Sequence, residues 1–257
     1  VLPAGRAPLN RKEEAVARPA IDLAAEVVEV IAETADATTL RLRLPQPVQF
    51  LAGQYFTVRL DLEGVAWPVT RSYSVASSPF PPTSTIDLTV KETPDGLASR
   101  ILVRDIAVGT TLDVEGPFGY FTWEESDGGP LLLVAAGSGI VPLMCIVRYE
   151  AARRLEVPTT LLYVSADRAH VIFGDALDEL AARSLWLSVT HAFTRDDTDP
   201  AARYHARVDA GMLAELVGDT SPSLLVYLCG PPEFVKDVET MLIAVGVPTT
   251  RIRTEDW

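Results

Sequence analysis

The chain has 257 residues, 48% of them hydrophobic and 22% charged, enough for one large or two ordinary soluble domains whose core needs no covalent staple. Its formal net charge of -13 argues against nucleic acid or an anionic membrane as a partner, because both repel an acidic surface. Cys145 and Cys229 stand far apart and His170, His191 and His205 show no ligand spacing, which sets aside a disulfide framework, a metal centre and an iron-sulfur cluster built on about four thiolates.

Residues 1–20 mix Arg6, Arg11, Lys12, Glu13, Glu14 and Arg18 with alanine and proline and carry no apolar period, so a flexible leader is expected. No basic segment runs into an apolar stretch near the start, and none elsewhere reaches about 18 residues, so no membrane span and a cytoplasmic location are expected.

Within a domain expected at residues 21–125, the pattern from Ala24 to Glu92 alternates with period two through Glu26–Val30, Thr39–Leu44, Phe56–Leu60 and Ile86–Val90, broken by Gly, Pro and Ser clusters. That predicts an antiparallel β-barrel or sandwich. Leu97–Asp105 reads as a helix opened by Gly96. After Gly128-Gly129-Pro130 the pattern changes to continuous apolar runs at Leu131–Ala136, Thr160–Val164, Leu185–Thr190 and Leu224–Cys229, with helical segments between them. Residues 126–257 are therefore predicted to form a parallel-sheet α/β nucleotide-binding domain.

Chemistry concentrates in a few segments. In Arg71-Ser72-Tyr73-Ser74, arginine can fork onto a pyrophosphate, tyrosine can lie on a conjugated ring and a serine hydroxyl can bond a ring nitrogen, as a flavin dinucleotide requires. Gly96-Leu97-Ala98-Ser99 places a close-approach glycine, free amides and a hydroxyl at a helix start, a phosphate-binding arrangement. Gly137-Ser138-Gly139-Ile140-Val141-Pro142 follows an apolar strand and departs from Gly-x-Gly-x-x-Gly by its proline, which suits the first turn of the next helix. Cys229-Gly230-Pro231-Pro232 ends a second buried strand and opens another helix.

In this order, together with Gly53-Gln54-Tyr55, Gly116-Pro117-Phe118-Gly119 and Glu255-Asp256-Trp257, these segments resemble the ferredoxin-NADP reductase superfamily from about residue 22 onward. The resemblance implies a flavin site with Arg71 on the pyrophosphate, Ser72 beside it, Tyr73 against the ring and Ser74 near the hydride-accepting nitrogen. It places Val90 and Lys91 by the ribityl chain and the Gly96–Ser99 turn on phosphate. Gly53-Gln54-Tyr55 and Gly116–Gly119 are expected to be architectural, the second as a tight turn at the domain junction. FAD is the expected flavin, with FMN used by a minority of such proteins.

Gly137, Ser138, Gly139, Ile140 and Pro142 would face the nicotinamide coenzyme's diphosphate, and Cys229, with Gly230, Pro231 and Pro232, its reacting ring. Ser165, Asp167 and Arg168 follow a strand where selectivity for the ribose 2'-position is set; Asp167 favours NADH, and Arg168 leaves NADPH open. Ser74, Cys229 and Glu255 are the expected catalytic residues, and Trp257 is expected to cover the flavin face as a gate whose removal changes coenzyme affinity.

The implied activity is NAD(P)H oxidation by a flavoprotein that passes electrons to a separate one-electron acceptor protein such as a ferredoxin or an oxygenase component. The alternatives are a free-flavin or quinone reductase and an accessory subunit of a redox complex.

Overall fold

A computed structural model describes residues 20–61, 66–220 and 223–256. Trp257 and the expected leader, except Ala20, lie outside the described residues.

The first half is one six-stranded antiparallel sheet. Its strands are β1 (Ile21–Thr34), β2 (Ala37–Val48), β3 (Tyr55–Leu60), β4 (Val69–Ser74), β5 (Thr83–Lys91) and β6 (Thr111–Phe118), in the order β4-β3-β6-β1-β2-β5. Alternation sets the faces: Leu23, Ala25 and Val27 of β1 and Leu40, Leu42 and Leu44 of β2 point into the core. Outside, Glu26 stands opposite Arg43 and Glu29 opposite Arg41, each joined by an ion pair. Such exposed pairs contribute about 0.2–1 kcal/mol each and favour this register over a slipped one. The sheet curls until Val75, just past β4, bridges Leu88 of β5, and α1 (Leu97–Arg104) packs beside β5.

The second half carries β7 (Leu131–Ala136), β8 (Thr159–Ser165), β9 (Leu187–Phe193), β10 (Ala202–Tyr204), β11 (Leu225–Gly230) and β12 (Ile252–Asp256), with α2 (Ile140–Arg153), α3 (Gly174–Arg183), α4 (Ala210–Val217) and α5 (Pro232–Ala244). The strands are parallel in the order β10-β9-β8-β7-β11-β12. Both faces are covered, which explains the unbroken apolar runs: Leu131, Leu133 and Ala135 enter one core, and Leu132 and Val134 the other. A fully buried leucine contributes about 1.5–3 kcal/mol, so β7 alone is a large share of this domain's stability.

The fold class is as expected: an antiparallel β-barrel followed by a parallel α/β domain. The chain leaves β7 toward β8 on one side and returns as β11 on the other, creating a switch point at the strands' C-terminal ends, where open α/β sheets bind ligands.

The two halves share a core. Ile140 to Val147 of α2 are buried on every side because the helix lies between the parallel sheet and the barrel. Arg148 Nη1 donates to Ala76 O at 3.0 Å, Cys145 Sγ to Ser77 O at 3.0 Å, and the Tyr227 hydroxyl to Thr122 O at 2.9 Å.

Two local expectations are corrected. The run placed at Leu185–Thr190 is β9 at Leu187–Phe193, with Leu185 fully exposed, because an apolar pair at a strand entrance reads like strand whether or not it packs. Gly116, Pro117 and Phe118 are not a turn; they end β6, where Gly116 leaves room for the Phe56 ring, and only Gly119 turns, at φ 103°. β10 and β12 carry no strand signal of their own, being edge strands recruited by β9 and β11.

Candidate functional site

Between the barrel and the switch point of the parallel sheet lies a cleft of about 740 Å³. Arg71, Ser72, Tyr73 and Ser74 line one wall, with Lys91 and the Gly96–Ser99 turn; Ser138, Pro142, Cys229 and Glu255 line the other. Residues far apart in sequence thus face one space.

The barrel wall is polar and open. β4 ends the sheet order, with Ser74, Tyr73, Ser72 and Arg71 opposite Tyr55, Phe56, Thr57 and Val58 of β3. Arg71 is exposed, and among the described residues its guanidinium donates to Thr70 O at 2.8 Å through Nη1, one of its several N–H donors. Tyr73 packs partly on the core, and burial pushes its hydroxyl up to about 12, so it is a neutral aromatic surface. Gly96 is the N-cap of α1, no side chain caps the first turn, and no acid stands there, so its amides keep their capacity for an anion.

Ser99 is committed inside the turn: its hydroxyl donates to Gly96 O at 3.0 Å and accepts from Thr93 N at 3.1 Å. A Cβ on Gly96 would sit 2.0 Å from Thr93 Oγ1, so this glycine is needed to close the turn. Val90 is buried in the barrel core while Thr89 and Lys91 line the cleft, the consequence of strand alternation. Lys91 Nζ lies 3.3 Å from Asp36 Oδ2.

The opposite wall is built from the ends of β11 and β12 and the start of α2. Cys229 and Glu255 are register neighbours on β11 and β12. Burial pushes the Cys229 thiol well above its usual value, and the Glu255 and Asp256 carboxylates push it further, so Cys229 is a neutral thiol. Burial, aided by Asp256, raises Glu255 to about 7, which lets it hold or release a proton near neutrality.

The two glycines of the β7 turn do different work. Gly137 has φ 54° with nothing within 4 Å of where a Cβ would stand, so it serves the backbone path beside open space. Gly139 has no such room: a Cβ would lie 2.2 Å from Cys229 O, so its glycine lets the β7 turn rest on the end of β11. Of the expected coenzyme residues in these two turns, Ser138, Pro142 and Cys229 line the cleft, with Val141 beside them, whereas Gly137, Gly139, Ile140, Gly230, Pro231 and Pro232 stand outside its lining.

The expected coenzyme-selecting turn lies outside this lining, past the end of β8. Asp167 Oδ1 accepts from His170 N at 3.2 Å and lies 2.6 Å from His170 Nδ1; Arg168 Nη2 donates to Asp178 Oδ2 at 2.6 Å. Arg195, absent from the sequence reading, is held here by its backbone, with Arg195 N donating to Ala166 O at 2.8 Å. Thr89 and Thr93 also line the cleft and carried no motif signal of their own, and Tyr55, expected to be architectural, lines it too, as do Val141 and Asp256 from within the quoted motifs.

The donors fit a dinucleotide. A free guanidinium and an uncapped helix start suit a diphosphate, and the Tyr55 and Tyr73 rings suit a conjugated ring system.

The chain matches the family model described as oxidoreductase FAD-binding domain over residues 24–123 and that described as oxidoreductase NAD-binding domain over residues 133–240. It is 34% identical over 241 residues to the ferredoxin reductase component of 3-ketosteroid-9-alpha-monooxygenase from Mycobacterium tuberculosis, covering 90% of this chain. It spans 64% of that relative, just under two thirds of its length. A ferredoxin--NAD(P)(+) reductase component of naphthalene 1,2-dioxygenase/salicylate 5-hydroxylase systems from Ralstonia sp is 27% identical over 250 residues, covering 96% of this chain and 72% of that protein.

Among solved structures, the ferredoxin reductase in carbazole 1,9a-dioxygenase superposes with a TM-score of 0.77 at 28% identity, over 93% of this chain and 70% of that one. The flavohem-like FAD/NAD binding domain of nitric oxide dioxygenase from Vibrio cholerae gives 0.82 at 25% identity, over 93% and 99%. With both domain types matched in order over nearly the whole barrel and most of the parallel-sheet domain, the chain belongs to the ferredoxin-NADP reductase superfamily, its first domain of the FAD-binding and its second of the NAD-binding type.

Proposed function

We propose that the chain is an NAD(P)H-dependent flavoprotein reductase whose electrons pass to a separate redox protein, a ferredoxin or an oxygenase component. The observation that carries this reading is the single cleft walled by Arg71–Ser74 and the Gly96 turn on one side and by Ser138, Pro142, Cys229 and Glu255 on the other. Relatives described as reductase components of oxygenase systems support the kind of acceptor.

Bound FAD supplies the conversion from a two-electron donor to one-electron delivery. Arg71, Ser72 and the α1 amides would hold the diphosphate, and Tyr73 and Ser74 would meet the ring. Cys229, a small, buried, neutral thiol, and the adjoining Gly230 would leave an uncharged point of contact for a nicotinamide. Glu255 holds a proton at that surface and hydrogen-bonds an amide without placing a full charge beside the rings. The domain division proposed here is 21–125 for flavin and 126–257 for coenzyme, with the shared core holding the two sites face to face.

NADH is the proposed donor. Asp167 supplies an acidic group at the turn after β8, and Arg168 is drawn toward Asp178. The test is an absorption spectrum of the purified chain followed by anaerobic titration with NADH and, separately, NADPH. Flavin bands that bleach faster with NADH are expected. Bands that neither nucleotide bleaches would overturn the reductase reading, and faster bleaching by NADPH would overturn the donor assignment.

A further inference from the structure

The barrel wall of the cleft is tied to the coenzyme domain by a short hydrogen-bonded chain in which each donor has one proton to give. Glu33, near the end of β1, accepts from the Thr39 hydroxyl on Oε1 at 2.6 Å and from the backbone N–H of Phe173 on Oε2 at 3.2 Å. Phe173 belongs to the other domain, where it is the N-cap of α3 in a left-handed conformation, φ 63°. Its ring carries the guanidinium of Arg148 at 5.1 Å, and Arg148 reaches back to Ala76 O and toward Asp87 of the barrel. On the other side, Thr39 stands opposite Thr89 in the β2–β5 register, their hydroxyl oxygens 2.8 Å apart, both residues buried. Thr89 lines the cleft.

The proton directions follow from valence. A carboxylate only accepts, so the one Thr39 proton goes to Glu33. The Thr39–Thr89 bond must then be donated by Thr89, which leaves Thr89 with acceptor capacity alone. The cleft wall at this point therefore matches a donor on the ligand, a polyol hydroxyl or a ring N–H, and mismatches a carbonyl or phosphate oxygen.

We propose that Glu33 is a positioning residue of the reductase: one carboxylate oxygen holds the start of α3 in the coenzyme domain while the other, through Thr39, sets Thr89 as an acceptor facing the flavin. This rests on the reading of the cleft as the flavin site. It goes beyond that reading in assigning to a residue outside the cleft both the polarity of the wall and the seating of the neighbouring domain.

The test uses the full chain stripped of flavin, with FAD as probe. Dissociation constants come from quenching of flavin fluorescence for wild type, Glu33→Gln, Thr39→Val, Thr89→Val and Thr89→Ser, and amide exchange is followed on the same proteins without ligand. Thr39→Val and Thr89→Val are expected to weaken FAD about tenfold, the effect of one hydrogen bond of about 1.4 kcal/mol, with Thr89→Ser restoring most of it. Glutamine keeps a single acceptor oxygen, so Glu33→Gln is expected to lose one of the two bonds, read as weaker FAD binding or as faster exchange at the Phe173 amide, which Thr39→Val leaves protected.

Because the groups act in series, Glu33→Gln combined with Thr39→Val is expected to bind FAD no worse than Thr39→Val alone. FAD constants within twofold of wild type for folded Thr39→Val and Thr89→Val, or fully additive losses in the double variant, would overturn the relay. Unchanged Phe173 exchange together with unchanged FAD affinity in Glu33→Gln would overturn the role of Glu33. A wild-type chain that takes up no FAD would overturn the flavin reading and the relay with it, so the two failures are told apart by the wild-type titration.

Discussion

The two walls of the cleft solve opposite problems. The barrel wall is exposed, cationic and rich in donors, with Arg71 and the uncapped start of α1 free to meet an anion. On the wall at the ends of β7, β11 and β12, Cys229 is buried and kept a neutral thiol and the half-buried Glu255 is raised to about 7, with Asp256 exposed at the rim. A diphosphate needs charge at an accessible edge, whereas contact between two rings needs shape and the absence of water. The barrel wall is therefore made of side chains, and the opposite wall mostly of close backbone contacts.

The largest expected effect tests that last point. Gly139→Ala sets a Cβ against the Cys229 carbonyl and is expected to destabilise the chain by about 3 kcal/mol in denaturant unfolding, since backbone on backbone cannot yield. Gly137→Ala meets open space and costs only its left-handed backbone, about 1 kcal/mol. Equal effects would show that the β7 turn does not lean on β11.

On the barrel wall, Arg71→Ala is expected to weaken FAD by about tenfold to a hundredfold, the range of a charge-assisted hydrogen bond, and to flatten the salt dependence of binding. Cys229→Ala is expected to leave FAD affinity nearly unchanged, so similar losses in both variants would erase the contrast between the walls.

Next comes pH. Glu255 is raised to about 7 and Glu150, fully buried with Thr159 Oγ1 donating to it at 3.2 Å, to about 8, both by burial. Each keeps its proton in the folded chain at pH values where the unfolded chain, near 4.5, has lost it. Their contribution is therefore complete below about 4.5 and is lost as pH rises through 7 to 8. Glu150→Gln and Glu255→Gln should each lose less stability than wild type between pH 5 and pH 8 in thermal melts. Parallel curves would remove burial as the cause. The smallest effect is expected for Lys91→Met, whose partly exposed pair with Asp36 contributes below about 1 kcal/mol and whose loss should leave FAD affinity within about twofold.

Much of this was legible because the signals are local. Period-two alternation in β1 and β2 and the unbroken apolar runs of β7 and β8 report one-sided and two-sided burial directly. Arg71–Ser74 and Cys229–Pro232 announce chemistry through residue type at a strand end. The edge strands β10 and β12 were not legible, since they pair only because β9 and β11 offer open edges. Nor was Thr89, whose place in the cleft wall depends on its strand's facing, or Arg195, which reaches the turn after β8 through a backbone bond to Ala166.

What the sequence by itself determined is the fold class and the order of the two halves, and it marked Arg71–Ser74, the Gly96 turn, Ser138, Pro142, Cys229 and Glu255, which the structure brings to one cleft, because periodicity and turn chemistry depend on neighbours along the chain. Only the tertiary structure decided that Gly139 serves packing while Gly137 borders open space, that Ser99 closes its own turn, and that Glu33 of the barrel holds the start of a helix in the other domain. Those assignments depend on which atoms meet across the fold, and on how many protons each hydroxyl has to give.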